Sequence, residues 1–306
     1  MIVSASYRTD IPAFYGDWFL NRLDAGFCWV RNPYSDQMYR VSLLPDDVDG
    51  FVFWTKNAGP FLDALRNAHR RGFPFVVQYS MTAYPRQLEF SVMDVARGIA
   101  HARQIADQYG PRVVVWRYDP ILFTSLTEAD DHRRSFERLA AALEGTVDEV
   151  VISFAQIYAK TRRSLERAAR HFSFTWNDPP GEYKQALAAD LARMAAAHGM
   201  RLAVCSQNAY IPQSGFPARC IDAGRLSDVA GRPIRAPQKG NRPDCACALS
   251  RDIGAYDTCP HGCVYCYAVQ DRGLARNHRR QHSHTTENLS QTRLDVEAET
   301  VNHQEM

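Results

Sequence analysis

Short β-rich runs alternate with amphipathic helical stretches through the first two hundred residues, and this alternation restricts the fold more than any other feature. Ile2–Ser6, Phe27–Arg31, Gly50–Thr55, Pro74–Met81, Arg112–Arg117, Glu149–Phe154 and Arg201–Cys205 read as strands. Gly59–Arg71, Val92–Tyr109, Thr127–Leu143 and Tyr183–His198 place apolar residues at helical spacing between them. Ser125-Leu126-Thr127-Glu128 has capping-box spacing, so Ser125 or Thr127 is expected to cap the third helix. Gly199 suits the end of the last. Tyr39–Leu43 reads as an added strand.

Strands separated by helices need crossover connections, which place them in a parallel sheet of right-handed units. Val113-Val114-Val115-Trp116 and Val150-Val151-Ile152 are apolar without clean alternation, as in strands covered on both faces. Six or seven such units predict an α/β fold, a full or partial β/α (TIM-like) barrel over residues 1–210. No GxGxxG follows the first strand and no GxxxxGK[ST] occurs, which argues against a Rossmann or P-loop nucleotide site.

With 306 residues, 45% of them apolar, the chain can bury the core of one large domain or a domain with an appendage. A formal charge of +2 demands neither nucleic acid nor an acidic membrane as partner. No stretch approaches the roughly 18 apolar residues of a membrane span, and Met1–Ser6 has no basic region leading into an apolar one. Neither a membrane partner nor a signal peptide is expected, and a cytoplasmic location is. Of the eight cysteines, seven lie beyond residue 204, a distribution that suggests a metal centre in a reducing compartment rather than a disulfide scaffold. Pro212–Asp244 is rich in Pro, Gly and Arg and predicts an irregular connection, so residues 211–275 read as a cysteine-rich metal-cluster segment packed on the barrel. Residues 276–306 turn polar and His-rich and read as a disordered tail.

Within the cysteine-rich segment, Cys259-Pro-His-Gly-Cys263-Val-Tyr-Cys266 spaces three thiols as CxxxCxxC. Three thiolates on one short loop can hold three irons of a [4Fe–4S] cluster and leave the fourth open. Gly262 can take the positive φ that such a loop needs, and Pro260 stiffens the other side. Structural zinc is the alternative, with His261 or an upstream cysteine as fourth ligand. Cys205, Cys220, Cys245 and Cys247 are four further thiols, enough for a second, closed [4Fe–4S] cluster or a Cys₄ zinc site. Cys205 is equally readable as a small buried hydrophobe, and Cys28, inside Phe27-Cys28-Trp29-Val30, as core.

Polar residues recur at the ends of the predicted strands. Arg8, Asp10, Arg31, Lys56, Arg117 and Asp119 would gather on one face of a barrel, where active sites of that architecture lie. Such a pocket, partly cationic, suits carboxylates or another anionic or polar substrate. The plainer readings are a helix cap for Asp10 and a rim ion pair for Arg117 with Asp119. The basic run Arg272–Arg280, with His278 and His282, reads as a solvated tail or as a contact for phosphate or nucleic acid. His278, His282, His284 and His303 read as incidental rather than as ligands.

The cysteine loop resembles the CxxxCxΦC signature (Φ aromatic) of radical S-adenosylmethionine enzymes. Five segments together are similar to an uncharacterised bacterial family, domain of unknown function family 1848. They are Tyr7-Arg-Thr-Asp-Ile-Pro-Ala-Phe-Tyr15, Val30-Arg-Asn-Pro33, Phe53-Trp-Thr-Lys-Asn57, Trp116-Arg-Tyr-Asp-Pro120 and Cys259-Pro-His-Gly-Cys-Val-Tyr-Cys-Tyr267. The resemblance implies an iron–sulfur protein whose open iron chelates S-adenosylmethionine, cleaving it to a 5′-deoxyadenosyl radical that acts on an unknown, small-molecule substrate. On this reading Tyr265, just before the third thiol, would lie against adenine, and the strand-end residues Arg8, Asp10, Lys56, Arg117 and Asp119 are candidates for holding cofactor or substrate. No acid or base role is assigned. A one-electron reductant such as flavodoxin or ferredoxin would be a partner. The chain departs from the superfamily pattern in two ways: the triplet follows the last strand rather than the first, and no glycine-glycine-glutamate segment is found. The alternatives are a non-catalytic electron-transfer or zinc protein, and a nucleic-acid-modifying radical enzyme analogous to spore photoproduct lyase, supported by the Arg-rich run alone.

Overall fold

The structure is a computed structural model that describes residues 1–35 and 37–291. Eight parallel strands form its main sheet: β1 (Ile2–Ala5), β2 (Gly50–Thr55), β3 (Phe75–Ser80), β4 (Val114–Ile121), β5 (Glu149–Phe154), β6 (Arg201–Val204), β7 (Phe216–Pro217) and β8 (Ser250–Asp252). Their order is β7-β6-β5-β4-β3-β2-β1-β8, so each strand from β1 to β7 lies beside the next and β8 returns to flank β1. This is the winding of a β/α barrel. Among the described residues no ladder joins β7 to β8, so no closed barrel forms and the sheet has a seam there.

Both faces of the central strands are covered, which explains their unbroken apolar text. On one face Val3, Phe51, Phe53, Phe75, Trp116 and Ile152 pack under the helices. Phe19 meets Phe51 and Phe53 edge-on, with centroids 5.4 and 5.3 Å apart. Burying each such side chain contributes about 1.5–3 kcal/mol. On the other face Ile2, Val52, Val76, Val115, Val151 and Ala203 form a second buried cluster. Among the described residues no helix is long and apolar enough to cross a membrane.

Several expectations need correction. Phe27–Arg31 is not a strand of the main sheet but pairs antiparallel with Met38–Ser42, register Phe27↔Ser42. Its alternation, with Cys28 and Val30 buried and Arg31 exposed, suits a ribbon with one wet face. The helix Ala129–Leu143 is capped by Glu128, which forms a reciprocal box with Asp131. Neither Ser125 nor Thr127 caps it, and the Thr127 hydroxyl donates instead to the Leu122 carbonyl at 2.8 Å. Segment 211–275 supplies β7 and β8 and therefore completes the sheet rather than packing on it.

The expected tail is folded as far as residue 291. Arg272–Gln281 is a helix capped by Asp271, whose side chain accepts from the Leu274 amide. Beyond it Trp18 Nε1 donates to the Thr286 carbonyl at 2.9 Å, and the Trp29 amide to the Glu287 carbonyl at 2.9 Å. The basic run is partly spent on packing, since Arg272 donates to Ser91 Oγ at 2.6 Å and Arg279 lies 5.5 Å from the centre of the Tyr15 ring. His282 is buried edge-on to that ring. Residues 292–306, and with them His303, lie outside the described residues.

Candidate functional site at the carboxyl end of the sheet

β8 ends on Asp252, a buried carboxylate that organises the loop leaving β1. It accepts from Ser4 Oγ at 2.9 Å, Ser6 Oγ at 2.6 Å and the Tyr7 amide at 3.1 Å. Arg8 Nε stands 3.7 Å away, with its guanidinium between the rings of Tyr7 and Tyr256. Burial raises the Asp252 pKa even though Arg8 and these donors oppose it. The Ser6 side chain comes so close here that a Cβ on Gly254 would sit 2.5 Å from Ser6 Cβ, which requires glycine. Arg8 is thus engaged in holding the strand ends together.

The chain then passes over the carboxyl ends of β1, β2 and β3. Cys259, Cys263 and Cys266 line one cavity of about 190 Å³, with Phe90, His261 and Arg272 also in its wall. Gly262 takes the positive φ expected of it, 75°, with the Arg272 side chain against its α-carbon. Main-chain bonds fasten the loop to the segment after β3: the Ser91 amide donates to the His261 carbonyl at 2.9 Å and the Val264 amide to the Leu88 carbonyl at 3.0 Å. Arg272 Nε is buried and, among the described residues, has no hydrogen-bond partner.

Asp10 is the helix cap expected of it and also ties two loops together. Its Oδ1 caps the helix Ile11–Phe14 by accepting from the Ala13 amide at 2.9 Å. Its Oδ2 accepts from the Lys56 amide at 2.7 Å and lies 2.8 Å from His261 Nε2. The other nitrogen of His261 is 3.4 Å from the Ser91 carbonyl. Both ring nitrogens are therefore occupied, which weakens His261 as a fourth ligand for zinc.

Lys56 Nζ bonds Glu89 Oε1 at 2.8 Å, and the same carboxylate accepts from Thr82 Oγ1 at 2.9 Å and from the Tyr265 hydroxyl. Burial opposes ionisation of Glu89, but Lys56, Tyr265 and Thr82 together hold its pKa below the usual value. The Tyr265 ring packs with Leu88, Leu122 and Val264, edge-on to Tyr84. It is an anchor of the loop as well as the aromatic neighbour of the third thiol. Burial pushes the Cys259, Cys263 and Cys266 thiols up, with Lys56 partly offsetting it at Cys263. Unliganded, they are neutral thiols.

Inside the sheet a second polar group lies against the other cysteines. Arg117 bonds Asp119 at 2.5 Å, Asp119 accepts from Ser153 Oγ, and the guanidinium lies 5.0 Å from the Trp54 ring centre. Arg117 also donates to Gln78 Oε1 at 3.3 Å and to Cys220 Sγ at 3.0 Å. Cys220 Sγ is 3.6 Å from Cys205 Sγ, and the Ile221 amide donates to Cys247 Sγ at 3.4 Å. The Cys247 thiol, bonding Cys245, pulls the Cys245 pKa down to about 5. Cys28 is core, as expected, its thiol pushed up to about 12 by burial.

The predicted residues thus divide into three sets. Asp10, Lys56 and Tyr265 fasten the cysteine loop, Arg8 belongs with Asp252 at the strand ends, and Arg117 and Asp119 join the second thiol group. Arg31 ends the antiparallel ribbon and no strand of the main sheet. Glu89 and Asp252 were not anticipated. Glu89 left one signal, a lone carboxylate in the apolar text Leu88-Glu89-Phe90. Among the described residues, no three His, Cys, Asp or Glu side chains stand gathered for a single metal ion. The triplet rings a cavity instead of converging on a point.

Residues 2–268 match the family described as a domain of unknown function, DUF1848. No curated protein matches the chain. Among solved structures, a D-hydantoinase aligns at 11% identity with a TM-score of 0.30, over 66% of this chain and 40% of that one. The D-hydantoinase from Bacillus sp. AR9 aligns at 11% identity and TM-score 0.30, over 60% and 37%. The chain thus spans about two fifths of the length of these enzymes.

Proposed function

The chain belongs to the DUF1848 family, and from its three-thiol loop we propose that it is an iron–sulfur enzyme of the radical S-adenosylmethionine type. Cys259, Cys263 and Cys266 are the residues that would hold three irons of a [4Fe–4S] cluster. The observation that carries this reading is that three thiols of one loop line a single cavity at the carboxyl end of the sheet, while the histidine between them is engaged by Asp10. The unpartnered Arg272 Nε in the wall of that cavity fits an anionic occupant.

When bound, the cluster would supply the electron that splits S-adenosylmethionine into methionine and a 5′-deoxyadenosyl radical, which removes hydrogen from a substrate. The protein's own residues do the positioning. Lys56 brings a positive charge beside Cys263 and offsets thiolate charge there. Glu89 ties Lys56, Thr82 and Tyr265 together, and Asp10 ties the first loop to His261. Phe90, Val264 and Phe172 supply apolar wall that limits water around the thiols. A small electron carrier of the flavodoxin or ferredoxin kind would complete the reaction.

The test is anaerobic purification, measurement of iron and sulfide, and incubation of the reduced protein with S-adenosylmethionine. The expected result is 5′-deoxyadenosine, lost in Cys263→Ala. A full cluster without cleavage would make the protein an electron carrier, and zinc on the triplet would refute both readings.

A further inference from the structure

We propose that Cys205, Cys220, Cys245 and Cys247 bind one tetrahedral zinc ion, which fastens the open seam between β7 and β8. The thiols come from both sides of that seam. Cys205 directly follows β6 and Cys220 follows β7, whereas Cys245 and Cys247 precede β8. A main-chain bond from the Ala248 amide to the Ile221 carbonyl, 2.9 Å, bridges the gap beside them. The side chains are already neighbours: Cys205 touches Cys220 at 3.6 Å, the Ile221 amide beside Cys220 donates to Cys247 Sγ at 3.4 Å, and Cys247 interacts electrostatically with both Cys220 and Cys245.

The spacing favours a single ion over a cluster. Four sulfurs at about 2.3 Å from zinc stand about 3.8 Å apart, close to the Cys205–Cys220 contact. Thiolates on separate irons of a cubane stand further apart. The surroundings favour anionic sulfur. Arg117, buried inside the sheet, donates to Cys220 Sγ at 3.0 Å, and Arg242 Nη2 to Cys205 Sγ at 3.6 Å. A neutral thiol is a weak acceptor, whereas a thiolate makes a charge-assisted bond with each guanidinium. Four zinc-bound thiolates carry a net charge of −2, which Arg242 and Arg117, the latter shared with Asp119, offset in part, and donors to ligand sulfur are the usual outer shell of such sites.

The thiols form a row and do not yet surround one point, so binding requires side-chain rotation. Cys245 is partly exposed and offers the entry path. Binding replaces thiol protons by Zn–S bonds, releases the protons to solvent and changes no oxidation state.

The experiment uses the full chain carrying Cys259→Ala, Cys263→Ala and Cys266→Ala together, so that it succeeds or fails independently of the iron–sulfur reading. Metal analysis should find about one zinc per chain, and its X-ray absorption edge should show four sulfurs at about 2.3 Å. Adding Cys247→Ser should remove the zinc and lower the thermal midpoint, whereas adding Cys28→Ser should retain the zinc. If the Cys247→Ser protein does not fold, the absorption spectrum of the triplet variant decides alone. Zinc-free triplet variant, nitrogen or oxygen ligation, iron and sulfide in its place, or a Cys205–Cys220 disulfide in anaerobically prepared protein would each overturn the proposal.

Discussion

Replacing Lys56 by methionine tests how the cysteine loop is held in place. The Lys56–Glu89 pair is 2.8 Å long, and its side chains are 12% and 4% exposed. Burial works against both charges. Glu89 nevertheless raises the Lys56 pKa, and Lys56 with Tyr265 lowers that of Glu89, so the pair is ionised at neutral pH. In Lys56→Met the carboxylate is left with two hydroxyl donors, Thr82 and Tyr265. An uncompensated buried charge costs about 3–5 kcal/mol. Glu89→Gln keeps an acceptor for both hydroxyls but strands the lysine, at a similar cost. The double variant carries neither charge and should lose only about 1–3 kcal/mol, the order of imperfectly met hydrogen bonds. The two single losses sum to about 6–10 kcal/mol, so the coupling between the sites is at least about 3 kcal/mol. Urea unfolding of the metal-free protein, followed by tryptophan fluorescence at unchanged m-value, measures all three. Additivity within about 0.5 kcal/mol would show that the pair is not an energetic unit and that main-chain bonds alone hold the loop.

Two further outcomes follow from the same structure. His132 is buried between the Tyr118 hydroxyl and the Leu122 carbonyl, and burial lowers its pKa to about 4. The unfolded chain takes up this proton near pH 6.5 and the folded one only near pH 4, so stability is full above 6.5 and falls as pH drops through that window. The loss approaches about 1.4 kcal/mol per pH unit, roughly 3 kcal/mol across the window, and His132→Gln should flatten the slope by one proton. An unchanged slope would place the acid sensitivity elsewhere. Gly262→Ala forces a Cβ onto positive φ and within 2.5 Å of Arg272, so it should cost about 1–2 kcal/mol and reduce iron incorporation. Wild-type iron content in that variant would show that the loop tolerates a different backbone.

The legible part of the fold was its central strands. Gly50–Thr55, Glu149–Phe154 and their neighbours are apolar runs flanked by helical periodicity, and both signals survive in any context. β7 and β8, of two and three residues, are too short to carry a period. The text of Phe27–Arg31 fits a barrel strand or an edge ribbon equally, and only its pairing with Met38–Ser42 separates them. The helix Arg272–Gln281 was hidden because eight of its ten residues are polar, charged or glycine, with Ala275 alone buried. At the site, cysteine spacing was readable, and so was the position of Asp10 and Lys56 after strands. The contact from Asp10 to His261 was not, because it spans 251 residues and exists only where β8 lies beside β1. Asp252 was unforeseen for the same reason.

That placement of β8 also explains why both thiol groups are found where they are. In a sheet wound strand after neighbour, every loop leaving a carboxyl end meets the same rim. The last strand, placed beside the first, carries its outgoing loop onto the loops of β1, β2 and β3, where Asp10, Lys56 and Glu89 receive it. The price is the seam on its other side. β8 registers with β1 through three residue pairs, Ile2↔Ser250, Val3↔Arg251 and Ser4↔Asp252, and among the described residues it has no second ladder. So short an edge strand is poorly fixed by hydrogen bonds alone. Cys245 and Cys247 stand at its entry and Cys259, Cys263 and Cys266 beyond its exit, so a tie at the entry also steadies the triplet. On the two proposals made above, the second thiol group would support the triplet's chemistry without taking part in it.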